Sequence, residues 1–261
     1  MPLTEFQLEI VKLLSSNRSE GSHLAGGAAL HFSADSFRYS NDLDYFHDNV
    51  ELVSQSSKKD IELLRAEGFS VKTLLEKEGF VRCELAKNKQ GTKIEWVHDS
   101  DWRFMPPQNA EGKGYLLHPI DIAVNKLLAL VGRDEPRDFL DILFIEKRIL
   151  PLKALIWAAV GKDPGFSPTS LLEIVQRRGK YRQEDFEKLM LTEKVDLIKL
   201  KESWLQALEG VREFLNCRNP ENVGCLYYSK AISKFIAPDV GDSELPSDIV
   251  VHFGTRGGHL L

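Results

Sequence analysis

Two aspartates one residue apart, Asp42 and Asp44, follow a glycine pair, Gly26 and Gly27, in the run GGAALHFSADSFRYSNDLDYF. In a strand, side chains at i and i+2 project from one face, so the two carboxylates can share divalent cations. Gly26 and Gly27 have no side chain, and the backbone there can approach a phosphate and offer N–H groups to it. Behind them, Ala28, Ala29 and Leu30 predict a short helix whose N-terminus favours an anion. Ser40 adds a hydroxyl just ahead of the aspartates, as a candidate phosphate contact. These parts suit a site for a triphosphate and metal, and the chemistry of metal-dependent nucleotidyl transfer. Taken alone, the pair also fits a tight turn followed by two solvated aspartates at a strand end.

The elements that must hold these residues can be read from period and punctuation. Residues 50–67 carry Leu52, Ile61, Leu63 and Leu64 among charges and end at Gly68, which predicts a surface helix. The period then changes to two: FSVKTLLE, FVRCELAKN and KIEWVHD predict an antiparallel meander. Glu95 lies on the last of these strands between Ile94 and Trp96, so its side chain points away from its apolar neighbours. It can meet Asp42 and Asp44 if the strands adjoin. From Pro119 onward the text is helical, with expected helices over 119–131, from Pro136, over 151–160, from Ser167-Pro168, and over 195–217. The stretch MPPQNAEGKGY within 105–118 marks a boundary, giving a domain over 1–110 and a second over 111–261. The last forty or so residues show no clear period.

The run from Gly26 to Asp44 resembles the AbiEii-type branch of the nucleotidyltransferase superfamily. Members carry Gly-Gly or Gly-Ser, a Ser shortly before Asp-hydrophobic-Asp, and a third carboxylate on a later strand. Here these are Gly26 and Gly27, Ser40, Asp42-Leu43-Asp44, and Glu95 in KIEWV. A second signature of the branch, a helical Lys, then Arg, then Arg-Asp-x-x-Asp, matches Lys126, Arg133, Arg137, Asp138 and Asp141. The third carboxylate is often Asp in relatives; Glu is one methylene longer and still reaches a cation, and Asp99 is the competing assignment. The resemblance spans roughly residues 20–150 and implies that Asp42, Asp44 and Glu95 hold Mg2+ or Mn2+. Gly26, Gly27, Ser40 and Lys126 would bind the NTP, with Lys126 and Asp138 joining the catalytic set. An alternative is structural: Lys126 shares its face with Ile122, Ala123 and Leu130 and needs an anionic partner, which Asp138 or Asp141 would supply as well as a triphosphate.

Composition narrows the classes. With 261 residues, 43% of them hydrophobic, the chain can build one large or two modest cores. Its net charge of −5 gives no global nucleic-acid footprint, so an RNA contact needs a local patch. The run QRRGKYR, with Arg177, Arg178, Lys180 and Arg182 around Tyr181, is the candidate, though such runs are usually solvated faces. The N-terminus reads as a helix capped at Thr4 with Gln7 three later, not as a secretory signal. The apolar run ILPLKALIWAAVG is interrupted by Lys153 and too short to span a bilayer. Cys83, Cys217 and Cys225 lack metal or disulfide-framework spacing, and His31, His47, His98 and His118 lack metal-ligand spacing. A cytoplasmic protein with free thiols is expected.

The expected fold is α+β: a mixed-sheet nucleotidyltransferase core followed by a mainly α-helical C-terminal domain, with the active site in the cleft between. The expected reaction is attack of an acceptor hydroxyl on the α-phosphate of an NTP. The resemblance implies an RNA acceptor, tRNA first, and a toxin of a toxin–antitoxin or phage-defence pair with a cognate antitoxin as partner. A small-molecule acceptor such as an aminoglycoside, or a catalytically silent nucleotide- or partner-binding module, are the alternatives.

Overall fold

The computed structural model describes residues 3–32 and 36–260. The chain divides into two compact units, the first comprising residues up to Ile122 with Met190–Glu193 and Thr255–Leu260, the second comprising Ala123–Leu189 and Lys194–Gly254.

The first unit opens with α1 (Glu5–Leu14), started by a capping box in which the Thr4 hydroxyl accepts from the Gln7 N–H and the Gln7 side chain accepts from the Thr4 N–H. Then come β1 (Ser22–Leu24), α2 (Gly26–Leu30), β2 (Asp42–His47), α3 (Val50–Ala66), β3 (Ser70–Lys77), β4 (Phe80–Lys87) and β5 (Gln90–His98). Three short strands follow: β6 (Trp102–Arg103), β7 (Gln108–Ala110) and β8 (Gly114–Leu116). The main sheet has seven strands in the order β3-β4-β5-β2-β1-β8-β7. It is mixed, because β2–β5 and β1–β8 pair in parallel while the other neighbours are antiparallel. The Pro- and Gly-rich stretch read as a boundary thus contributes a hairpin, β7–β8, to the sheet's edge. Its glycines and prolines mark a turn rather than a linker.

One face of this sheet is dry. Phe6, Ile10, Val11 and Leu14 of α1 and Val53 and Leu64 of α3 pack with Leu43, Tyr45, Val81, Cys83, Leu85, Ile94 and Trp96 from β2, β4 and β5. Each of these strand residues alternates with a more accessible one, so the period of two assigns Asp42, Asp44, Arg82 and Glu95 to the opposite face. Beneath the core face, Asp60 of α3 is fully buried. It pairs with Arg18 and accepts from Trp96 Nε1 at 2.7 Å and Asn17 Nδ2 at 2.8 Å, so the buried charge is compensated.

The first unit passes into the second within α4 (Pro119–Arg133). Beyond it lie α5 (Pro136–Arg148), α6 (Leu152–Lys162), α7 (Pro168–Val175), α8 (Gln183–Glu187), α9 (Leu197–Leu208) and α10 (Val211–Asn216). The long helix expected over 195–217 is two helices, because Gly210 adopts a left-handed φ of 69° at the start of α10 and ends the register. The tail without a clear period forms a three-stranded antiparallel sheet, β9 (Leu226–Ser229) flanked by β10 (Lys234–Ile236) and β11 (Ile249–His252). Finally β12 (Thr255–Arg256) pairs with β6 of the first unit. The architecture is α+β, with a large mixed sheet first and mainly helices after it. Among the described residues, no helix is long and apolar enough to cross a membrane.

Candidate active site

Strand pairing brings the carboxylates together. In the parallel β2–β5 ladder Asp44 lies opposite Glu95 and Asp42 opposite Lys93. Asp42, two residues before Asp44, joins the same face. One carboxylate oxygen from each of Asp42, Asp44 and Glu95 falls within 4.8 Å of the others, and all three side chains are half-buried. Asp99, the competing candidate, follows the end of β5 and is outside this group; its N–H donates to the His47 carbonyl.

Gly26 is packed against one of these carboxylates, Asp44. The Ala25 N–H donates to the Asp44 carbonyl at 2.8 Å, which docks the start of α2 onto β2. Gly26 has a left-handed φ of 59°, and a Cβ there would stand 2.0 Å from Asp44 Oδ2. Only glycine meets both conditions. At Gly27 a Cβ would come 2.9 Å from Arg38 Nη2 and 3.1 Å from Ser40 Oγ. Arg38, which no sequence motif singles out, is 5% exposed and donates from Nη1 to the Tyr39 carbonyl. Ser40 is buried, and its hydroxyl donates to the Asp42 carbonyl at 2.9 Å, holding the entry to β2. Gln7 Nε2 donates to the Ser40 carbonyl, and the segment before it is held by Tyr39 N–H to Met190 carbonyl and Thr192 N–H to Phe37 carbonyl bonds.

Arg82 of β4 is likewise absent from the sequence motifs. It is the cross-strand partner of Glu95, and its Nε donates to Glu95 Oε1 at 2.7 Å. The pairing is set by the hairpin: Asn88 and Lys89 both take positive φ, 52° and 64°, in a two-residue turn that pairs Lys87 with Gln90 and therefore Arg82 with Glu95. The turn lacks the glycine that usually advertises it.

Lys126 and Asp138 form a cluster of their own in the second unit. Lys126 Nζ lies 3.2 Å from Asp138 Oδ1 and 2.8 Å from Asp141 Oδ2, and Arg133 Nε lies 2.6 Å from Asp138 Oδ2. The Asp138 and Asp141 side chains are fully buried and that of Lys126 is 8% exposed. Two cations and two carboxylates thus tie α4 to α5, which satisfies the buried Lys without any ligand.

Three hard oxygen donors on one face suit Mg2+ or Mn2+. The residues present therefore fit a cation-binding group. No protein-family model matches the chain, and no curated protein matches its sequence. Solved structures do resemble it. MenT4, a nucleotidyltransferase toxin from Mycobacterium tuberculosis, superposes with a TM-score of 0.56 at 16% identity, covering 80% of this chain and 82% of that one. A protein from H. pylori provisionally described as a nucleotidyltransferase gives 0.52 at 17% identity, covering 81% of this chain and 94% of that one. At such identities the likeness establishes the fold alone, which this chain shares with those two proteins.

Proposed function

We propose that this chain is a metal-dependent nucleotidyltransferase that moves a nucleotide from an NTP to an acceptor hydroxyl and releases pyrophosphate. The observation that carries the reading is the convergence of Asp42, Asp44 and Glu95, one carboxylate oxygen from each within 4.8 Å of the others, beside a glycine, Gly26, packed directly on Asp44. In this reading Asp42, Asp44 and Glu95 hold Mg2+ or Mn2+. Bound there, the cations supply charge neutralisation for the transferred phosphoryl group and the leaving pyrophosphate, and activation of the attacking hydroxyl. Gly26 and Gly27 give the phosphates access to backbone N–H groups. Ser40 and Gln7 keep the entry to β2 in place, so that Asp42 and Asp44 stay on one face. A nucleotide role for Lys126, with Asp138 beside it, rests on the AbiEii resemblance and requires its ammonium to exchange a carboxylate for a phosphate.

The acceptor we favour is an RNA end, tRNA first, with the chain acting as the toxin of a toxin–antitoxin or phage-defence pair. The AbiEii resemblance supports this, as does the fold shared with a protein named as a nucleotidyltransferase toxin. A small-molecule acceptor is the second reading. It is favoured by the net charge of −5 and by Arg178 of the basic run being tied to Asp134, at 2.9 Å. The test is label transfer from each of four α-labelled NTPs, with Mg2+ or Mn2+, to total RNA and separately to aminoglycosides. Label is expected in RNA. Asp44→Ala is expected to slow transfer about a thousandfold, as loss of roughly 4 kcal/mol of transition-state stabilisation would. Label in the aminoglycoside alone moves the assignment to the second reading, and no transfer with any NTP overturns the enzyme assignment.

A further inference from the structure

The outer side of the carboxylate cluster carries a cation that the chemistry above does not use. On three adjacent strands Asp44, Glu95 and Arg82 stand in one row, since the register pairs Asp44 with Glu95 and Glu95 with Arg82. Arg82 Nε meets Glu95 Oε1 at 2.7 Å, and the Arg82 side chain is 41% exposed against 13% for Glu95. The guanidinium carbon lies 5.2 Å from the centre of the Phe80 ring, which supports it from one side.

Such an arginine has two effects on a cation at Asp42, Asp44 and Glu95, and they oppose each other. It orders the Glu95 side chain, which helps binding by a few-fold at most, because Glu95 is already largely enclosed. It also places a unit positive charge about one strand spacing from a divalent ion, which weakens binding by about tenfold even with water-like screening. Repulsion therefore wins for a free cation. For a cation that arrives on a triphosphate the sign reverses, because phosphate oxygens offer the guanidinium a charge-assisted partner in exchange for Glu95.

We propose that Arg82, through its pairing with Glu95, is a counter-charge that biases this site toward a cation already carried by a triphosphate over a free one. The inference rests on the nucleotidyltransferase reading. Arg82 offsets part of the negative charge that Glu95 brings to the cluster, which loosens the hold on a lone divalent ion. Arg82 then passes from Glu95 to the phosphates as the loaded nucleotide docks.

The experiment uses the full chain, Mn2+ followed by electron paramagnetic resonance, and Mn2+ with the α,β-methylene analogue of each NTP followed by calorimetry. Arg82→Gln is expected to bind free Mn2+ about tenfold more tightly than the wild type and the Mn2+–analogue complex about tenfold more weakly. Both differences shrink as KCl is raised, since Arg82 is solvent-accessible, and Arg82→Lys, which keeps the charge, returns both toward wild type. A purely structural arginine would change both affinities in the same direction, through loss of fold. Asp44→Asn serves as the control for site-specific Mn2+. If Asp44→Asn abolishes Mn2+ binding while Arg82→Gln leaves it unchanged or weaker, this inference fails and the metal centre stands. If neither wild type nor Arg82→Gln binds Mn2+ or the loaded analogue, the nucleotidyltransferase reading fails first.

Discussion

Gly26 is the residue at which conformation and chemistry meet. A side chain there is opposed twice, by the left-handed φ of 59° and by Asp44 Oδ2 at 2.0 Å from the Cβ position. Gly27 has no positive φ, and its obstacles are the far end of the Arg38 side chain at 2.9 Å and the Ser40 hydroxyl at 3.1 Å. Gly26→Ala is therefore expected to lower stability by about 1–3 kcal/mol through backbone strain alone, and to displace Asp44 as well. Gly27→Ala is expected to cost less, because Arg38 can shift. Denaturant titration of both variants checks the order, and Mn2+–nucleotide binding should fall further in Gly26→Ala. Equal effects at the two glycines would show that close approach to Asp44 is unimportant. At this scale the sequence is informative where function is local: Asp42, Asp44 and the glycines lie in one run and follow strand and turn rules. Arg82 and Arg38 are not legible, since one depends on the register of a glycine-free hairpin turn and the other on how residues 36–40 fold back over Gly27.

Among the elements, β1 and β2 bury two histidines that govern acid tolerance. His47 Nδ1–H donates to the Tyr45 carbonyl and its Nε2 lies 3.1 Å from Ser22 Oγ, while burial, then the nearby Arg18 cation, lowers its pKa to about 4. His23 is lowered to about 3, by burial first and then by Arg103. Both are neutral in the folded protein and take up protons near pH 6.5 once unfolded. Their stabilisation is complete above about pH 6.5 and is lost as pH falls toward 4, at up to about 1.4 kcal/mol per pH unit for each histidine. Urea melts at pH 7.5 and pH 5 should show that loss, and His47→Gln should flatten the difference. A wild-type stability unchanged between these pH values would contradict burial of neutral imidazoles. The meander, α1 and most helices of the second half are legible, from period, from the Thr4 cap and from Pro136 and Pro168. The break between α9 and α10 is not, because Gly210 inside an amphipathic pattern reads equally as a tolerated helix glycine. The β9–β11 sheet is hidden by strands of three or four residues, too short to show a period.

For the whole molecule, charge decides which acceptors are physically reasonable. A chain of net charge −5 attracts RNA only through a local basic surface, and the run at 177–182 supplies fewer free cations than its composition suggests. Arg178 pairs with Asp134 and also donates to the Val131 carbonyl, and Tyr181 donates to the same Asp134 carboxylate, so both help hold the α4–α5 turn. Arg177, Lys180 and Arg182 are exposed. Neutralising those three while leaving Arg178 in place keeps the turn intact and removes the candidate phosphate-binding charges. If they hold an RNA backbone, the log–log salt slope of RNA binding should fall by about 0.7 for each phosphate no longer neutralised, roughly 2 in all, with affinity down at every salt concentration. Nucleotide binding should be unaffected, because none of the three is among the residues assigned to the nucleotide or the metal. Filter binding across a KCl series, with calorimetry for the nucleotide, separates the two effects. An unchanged slope in the triple variant would make this run a solvated face, and with Arg178 already committed to Asp134 it would shift the balance toward a small-molecule acceptor.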